Sequence, residues 1–484
     1  MTRISAVAEG AAARLQRVAA GAAAKASLLD RPVLVWSSTR IAQVNVIDIF
    51  AGAGPLAQPR TLWMHPDTGF SILAIGSAWE HESEGAARFK EAGVAWQALN
   101  DAAVGESDLG DDVGAPVAMA GFAFASGPTG GHEWGGFPNG VLTLPALTVR
   151  QTRDGAILTL AAVVGPRGAA PPHNELMQTW LKLATSSTAR FQAPPDGMRL
   201  IEERRVVDAR PAAAQWKAHV ADAAEAVRRG VLRKVVLARQ VKVDDVQSGE
   251  ADAIRRLSDE YPGCTVFAVA RGDRCFLGAT PELLVRVERG MVMTGALAGS
   301  APRGATHSQD RDFGAALLAS SKDRLEHTVV VEDLCQTIDE VCTDVSVGSP
   351  PILLRVANVQ HLFTPITGRL QSHLCILDLV ERLHPSPAVG GLPRDAALEW
   401  LGRHEGFDRG WYAGPIGWVD RRGEGEFAVA IRSALLRGRE ALLFAGCGIM
   451  ADSNPELEYT ESQLKLRSML SALGGGPAPH LVDA

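Results

Sequence analysis

Short apolar runs, punctuated by Gly, Pro and Asp and following one another closely, constrain this chain more than any other feature. Up to about residue 185 they read RPVLVWSS, FSILAIGS, PVAMAGFAFA, GVLTLPALTV and GAILTLAAVV; beyond residue 200 they read TVFAVAR, RCFLGAT, LLVRVERG, GPIGWVD, EFAVAIRSALLR and EALLFAGCGIM. Runs of this length, separated by Gly-containing turns, suit hairpin-joined antiparallel strands rather than the long crossovers of a parallel sheet. The stretch FQAPPDGMRL separates a strand-rich half, 1–200, from a second half, 201–473, and GGGPAPHLVDA over 474–484 reads as a loose tail.

Helices are expected to be few in the first half before NELMQTWLKLATSS. In the second half AAQWKAHVADAAEAVRRGVLRKVVLARQ reads as a helix running into a strand. SQDRDFGAALLASSKDRLEHTVVVEDLCQTIDEV, CILDLVERLHP and NPELEYTESQLKLRSML read as three helices with polar faces. The N-terminal EGAAARLQRVAAGAAAKASLL reads as an exposed amphipathic helix; against a transit peptide stand Glu9 and the strand-like PVLVWSS that follows at once.

The net charge of -7 offers no field for a polyanion, so nucleic acid is not an expected partner. No apolar run approaches the roughly 20 residues that span a bilayer, so no membrane partner is expected either. The six cysteines, Cys264, Cys275, Cys335, Cys342, Cys375 and Cys447, show no CxxC or metal-finger spacing and read as reduced thiols of a cytoplasmic protein.

Two segments carry carboxylates at helical spacing. In SSKDRLEHTVV, Asp323 and Glu326 are three apart; in NPELEYTESQLKLR, Glu458, Glu461 and Lys465 fall on one face. Two such helices could meet around a hard cation, and an oxygen-only set suits Mg²⁺ better than Zn²⁺. Taken alone, the same residues would as readily be a solvated face. The segment EALLFAGCGIMADSNPE adds an apolar strand expected to end in a Gly-rich turn that opens the second helix. Cys447 within it has no evident His partner and reads as a small packed residue.

The blocks RKVVLARQ, FLGATPELLVRV, TGALAGSAPRG, SSKDRLEHTVVVEDL, LHPSPAVGGLPRDAALEWL, RGWYAGPIGWVD, FAVAIRSALL and AGCGIMADSNPELEYTESQLK, in this order over residues 230 to 470, resemble the chorismate-binding half of isochorismate, salicylate, aminodeoxychorismate and anthranilate synthases. GFAFASG and WGGFPNGVLTLP extend the resemblance more faintly into the first half. It implies one large α/β (α+β) unit of two intimately packed halves, with large twisted, mainly antiparallel sheets, outer helices and a site in the cleft. It further implies Mg²⁺ on Glu326 and Glu461, with Asp323 and Glu458 nearby, holding the ring carboxylate of chorismate. Tyr412, Arg432, Lys465 and backbone N–H groups around Gly446 would face the enolpyruvyl carboxylate, and Ser300 would contact the substrate from the opposite side.

Forming isochorismate requires water to attack C2 of the ring as hydroxide leaves C4. The resemblance assigns the base to Lys234, whose pKa must then fall, and the acid to Glu282, whose pKa must rise in an apolar setting. Aminating relatives carry a different residue at the Lys234 position and an HPxGTLSGAPK-like segment where this chain has His384-Pro385-Ser386-Pro387-Ala388-Val389-Gly390-Gly391. The expectation is therefore an isomerase of the isochorismate synthase type, monomeric and without a glutaminase subunit, feeding menaquinone, siderophore or salicylate synthesis. Salicylate synthase, which goes on to eliminate pyruvate, is the alternative, and a silent chorismate-binding module is a third. Thr280 and Cys447 stand where Ser and Ala are frequent.

Overall fold

The computed structural model describes residues 3–54, 58–109, 114–127, 132–167, 206–246, 248–357 and 359–474. NELMQTWLKLATSS, the linker FQAPPDGMRL and the C-terminal tail lie outside them.

Two large sheets form the molecule. The first has 13 strands, in the order Val206–Arg210, Lys234–Val243, Glu440–Ile449, Ser433–Arg437, Arg274–Thr280, Thr265–Arg271, Arg60–His65, Phe70–Ile75, Leu147–Thr152, Gly155–Val164, Val33–Ile41 and Val104–Ser107, with Gly391–Leu392 also on the Lys234 strand. The second has 10, in the order Cys342–Val347, Val359–Leu370, Met291–Pro302, Leu283–Glu288, Gly425–Val429, Pro415–Val419, Ala118–Phe122, Gly140–Leu144 and Trp79–Ser83, with Ile352–Arg355 also on the Val359 strand. Among the described residues only the Val33 and Val104 strands pair in parallel, as the short turns predict. Both sheets draw strands from either side of residue 200.

Strand alternation divides the first sheet between two cores. Leu34, Trp63, Phe276 and Phe444 meet Phe122, Val285 and Phe427 of the second sheet, while Val33, Val35, Leu277 and Leu443 point the other way, under helices. The N-terminal helix Arg3–Leu29 is one of these: Ala8, Ala11, Leu15, Ala19, Ala22 and Ala26 recur at steps of three and four and form a buried stripe, so only its other face is exposed.

Several expected boundaries change. Pro145 divides GVLTLPALTV into two strands belonging to different sheets. The first half also holds helices Val46–Ala53 and Arg88–Asn100, and the second Glu250–Glu260 and Arg394–His404, which the apolar-run reading missed. The expected continuous helix over 308–341 breaks at Ser320, extended in backbone and capping Ser321–Val341 by accepting from the Asp323 N–H at 3.2 Å. EFAVAIRSALLR is two strands, Gly425–Val429 in the second sheet and Ser433–Arg437 in the first. Arg432 makes that crossing with φ at +52°, a left-handed conformation that non-glycine residues seldom adopt.

Candidate active site

Bordered by strands of both sheets, a cavity of about 690 Å³ including its mouth is lined by nine of the eleven residues singled out from sequence; Asp323 and Glu458 lie outside the lining. Lys234 opens its strand and is only 1% exposed, with its Nζ 3.0 Å from Glu326 Oε1. Burial was expected there; the charged side chain that the amine meets is a carboxylate.

Glu282 follows the strand Arg274–Thr280, which fixes it through backbone contacts. Its N–H donates to Thr280 Oγ1 at 3.2 Å, Thr280 Oγ1 donates to the Val429 carbonyl at 2.7 Å, and the Val429 N–H donates to the Glu282 carbonyl at 3.0 Å. Burial pushes the Glu282 carboxyl up to about 7, against the opposing pull of Lys234, Arg432 and Lys465. The group therefore keeps its proton to a higher pH than an exposed carboxyl does.

Arg432, buried at the crossing between sheets, donates from Nη2 to His361 Nε2 at 3.4 Å, while its Nη1 is buried without a hydrogen-bond partner. Burial holds this guanidinium below its ordinary pKa, partly offset by Tyr412 and Glu461. His361 lies 3.0 Å by Nδ1 from Ser300 Oγ and 3.2 Å from the Gly299 carbonyl. Burial and the nearby Arg432 drive the imidazole down to about 3, so it is neutral, with Nε2 accepting from Arg432 and Nδ1–H left to donate. His361 was not singled out from sequence; the register that places it opposite Ser300 reveals it.

The helix Pro455–Ala472 contributes Lys465, whose Nζ meets Glu461 Oε1 at 2.7 Å and donates to the Gly446 carbonyl at 2.8 Å. Burial alone would lower Lys465, but the Glu461 charge wins and raises it. The AGCG segment corrects the expectation of a Gly-rich turn: Gly446 and Gly448 lie within the strand Glu440–Ile449. Their missing side chains make room in the cavity, a β-carbon on Gly446 falling 3.1 Å from the Tyr412 hydroxyl. Tyr412 is stacked on Phe444, with ring centroids 4.9 Å apart, and burial pushes its hydroxyl up to about 12.

The carboxylates of the two helices crowd one another. Burial and then the Glu461 charge raise Glu458; burial, with Glu326 and Glu461 adding to it, raises Asp323 despite the Ser320 hydroxyl bond. Glu461 itself is pushed up by burial but held below its ordinary value by Lys465. Ligand atoms of Glu458, Glu461 and Cys447 lie within 4.8 Å of one another, and burial keeps the Cys447 thiol protonated, leaving oxygen donors as the competent set. Glu326, paired with Lys234, and Asp323 lie outside this cluster; the carboxylate oxygens of Glu458 and Glu461 are hard donors of the kind Mg²⁺ takes. Glu458 is otherwise paired with Lys322 at 2.7 Å and Ser453 at 2.7 Å. All six cysteines are free, as expected. No described helix is long and apolar enough to cross a membrane.

The family model described as "Chorismate binding enzyme" matches residues 20–474. The "Salicylate biosynthesis isochorismate synthase" of Pseudomonas aeruginosa is 40% identical over 466 residues, covering 93% of each chain. "Isochorismate synthase MenF" of Bacillus subtilis is 34% identical over 460 residues, covering 93% of this chain and 96% of that one. Among solved structures, the menaquinone-specific isochorismate synthase MenF from Escherichia coli shares the fold with a TM-score of 0.73 at 24% identity, covering 95% of this chain and 100% of that one. With a family match over residues 20–474, nearly its whole length, the chain belongs to the chorismate-binding enzyme family.

Proposed function

We infer that this protein is an isochorismate synthase, an isomerase that interconverts chorismate and isochorismate, in which Lys234 is the base and Glu282 the acid. The observation that carries the acid–base assignment is a carboxyl raised to about 7 in the same cavity as a fully buried lysine. Two titratable groups in contrasting surroundings are what a water-addition, hydroxide-loss reaction needs.

In the forward direction Lys234 takes a proton from water as the water oxygen bonds to C2. The ring double bonds shift, the C4–O bond breaks, and Glu282 protonates the departing hydroxyl so that it leaves as water. The reverse reaction exchanges these roles. Arg432 meets the enolpyruvyl carboxylate with its unpartnered Nη1, supported by Tyr412 and Lys465. Ser300, oriented by neutral His361, borders the opposite side. Glu326 and Glu461, with Asp323 and Glu458 behind them, would hold Mg²⁺, which when bound supplies positive charge to the ring carboxylate of the substrate.

Aminated products are disfavoured by Lys234, and the Pro387-Ala388-Val389 segment favours release of isochorismate intact. The enzyme acts as a cytoplasmic monomer, without a glutaminase subunit. Incubating the protein with chorismate and Mg²⁺, with and without ammonium, and resolving products by chromatography tests the reading. A reversible chorismate–isochorismate mixture, free of pyruvate and indifferent to ammonium, is expected. Salicylate with pyruvate, an aminated product, or no turnover by folded protein would overturn it.

A further inference from the structure

A second buried ion pair borders the cavity without entering the scheme above. Glu405 lies at the end of the helix Arg394–His404 and Arg409 four residues on, and their side chains are 5% and 4% exposed. The guanidinium donates from Nε to Glu405 Oε2 at 2.7 Å, from Nη1 to the Val389 carbonyl at 2.9 Å, and from Nη2 to the Val236 carbonyl at 2.7 Å and to Glu405 Oε1. Four of the five N–H bonds of an arginine are thus committed. Arg409 lines the cavity but has no fork left to offer a carboxylate, in contrast to Arg432 with its unpartnered Nη1.

What these bonds join is informative. Val236 is two residues along the strand from Lys234, and Glu405 Oε1 also accepts from the Ala238 N–H of that strand at 2.8 Å. Val389 belongs to the wall segment Ala388–Val389. Arg409 covers the Phe124 ring at 4.1 Å and stands 5.9 Å from the Tyr412 ring. One ion pair therefore links the base-bearing strand and the Ala388–Val389 segment beside it, which the Val236 N–H to Gly390 carbonyl bond at 2.8 Å already joins to that strand, with the rings of Phe124 and Tyr412. A planar guanidinium can hold several acceptors in fixed relation, which a lysine ammonium cannot.

We propose that Arg409 and Glu405 are positioning residues that hold the Lys234 strand, together with the Ala388–Val389 segment paired beside it, in fixed relation to the Tyr412 side of the cavity. They thereby fix the fit of the enolpyruvyl-bearing ring; the assignment rests on the isochorismate synthase reading. The pair acts on the grip on substrate, leaving the two proton transfers to Lys234 and Glu282. Loss of that relation consequently appears in KM before kcat. A merely structural role does the opposite, since a smaller folded fraction lowers apparent kcat and leaves KM alone.

The test measures kcat, KM and thermal midpoint for full-length wild type, Arg409→Lys, Glu405→Gln and the double variant Arg409→Met/Glu405→Leu. The double change removes both charges together and so avoids stranding one of them. The expected result is a rise in KM for chorismate of about tenfold or more in every variant that folds, with kcat changed less than about threefold and the pH limb of kcat unmoved. The double variant keeps the KM defect while recovering thermal stability over the single ones. Unchanged KM in any folded variant, whatever its kcat, overturns the proposal. Chorismate binding, followed by tryptophan fluorescence, is run alongside. A wild type that binds chorismate but forms no isochorismate defeats the function reading, while weaker binding by the variants still supports the positioning claim and unchanged binding overturns it.

Discussion

A β-carbon at Gly448 would stand 2.2 Å from Glu326 Oε1 and 2.9 Å from Lys234 Cε, so the Lys234–Glu326 ion pair exists because this strand position has no side chain. The fold delivers the lysine from one strand, the carboxylate from the helix Ser321–Val341, and the space from the neighbouring strand, where Val236 pairs with Gly448.

Gly448→Ala should therefore damage the site more than the fold. The added methyl has no room, and overpacking costs about 1–3 kcal/mol, while displacing Glu326 and Lys234 should lower turnover about 100-fold or more. Thermal unfolding beside the chorismate assay checks this. Gly446→Ala, whose β-carbon meets nothing nearer than the Tyr412 hydroxyl at 3.1 Å and Val236 Cγ1 at 3.3 Å, should be milder.

The alkaline limb of the pH–rate profile should sit near neutrality. Glu282 must be protonated to act, so forward kcat should fall as pH rises through about 7. The stability sign is the same: a carboxyl raised from 4.5 to about 7 contributes fully below 4.5 and loses that contribution as pH rises through about 7. Urea unfolding should show wild type losing up to about 3 kcal/mol between pH 4.5 and 8.5 relative to Glu282→Gln.

Glu326→Ala should lower Mg²⁺ affinity by calorimetry and leave Lys234 buried and unpaired. Stranding one member of a buried pair costs about 3–5 kcal/mol. Lys234→Met/Glu326→Leu should recover most of that stability and none of the activity.

Removing the metal should abolish turnover: activity is expected to vanish in EDTA and return with Mg²⁺. Glu461→Ala should shift the Mg²⁺ concentration needed for half-maximal rate upward about tenfold or more. Full activity in EDTA would remove the metal from the account.

Much of this architecture was legible because strand-forming runs declare themselves locally: TVFAVAR and RCFLGAT are strands at the expected residues. Lys234, Glu282, Arg432 and Lys465 were legible through their motifs, and the structure brings them to one cavity. What escaped depends on pairing between distant segments. His361 acquires its role from register with Ser300, Arg409 from carbonyls of two other segments, and the placement of Gly446 and Gly448 from the course of a strand that their composition disguised as a turn. Likewise EFAVAIRSALLR alternates like one strand, and only the left-handed backbone at Arg432 divides it between sheets.

The most direct test of the central claim compares wild type with Lys234→Ala and Glu282→Gln, measuring chorismate binding and isochorismate formation on the same folded samples. The account predicts that both variants bind chorismate and lose turnover by about 10² to 10⁴. A folded variant that retains a near-normal rate would remove that residue from the chemistry.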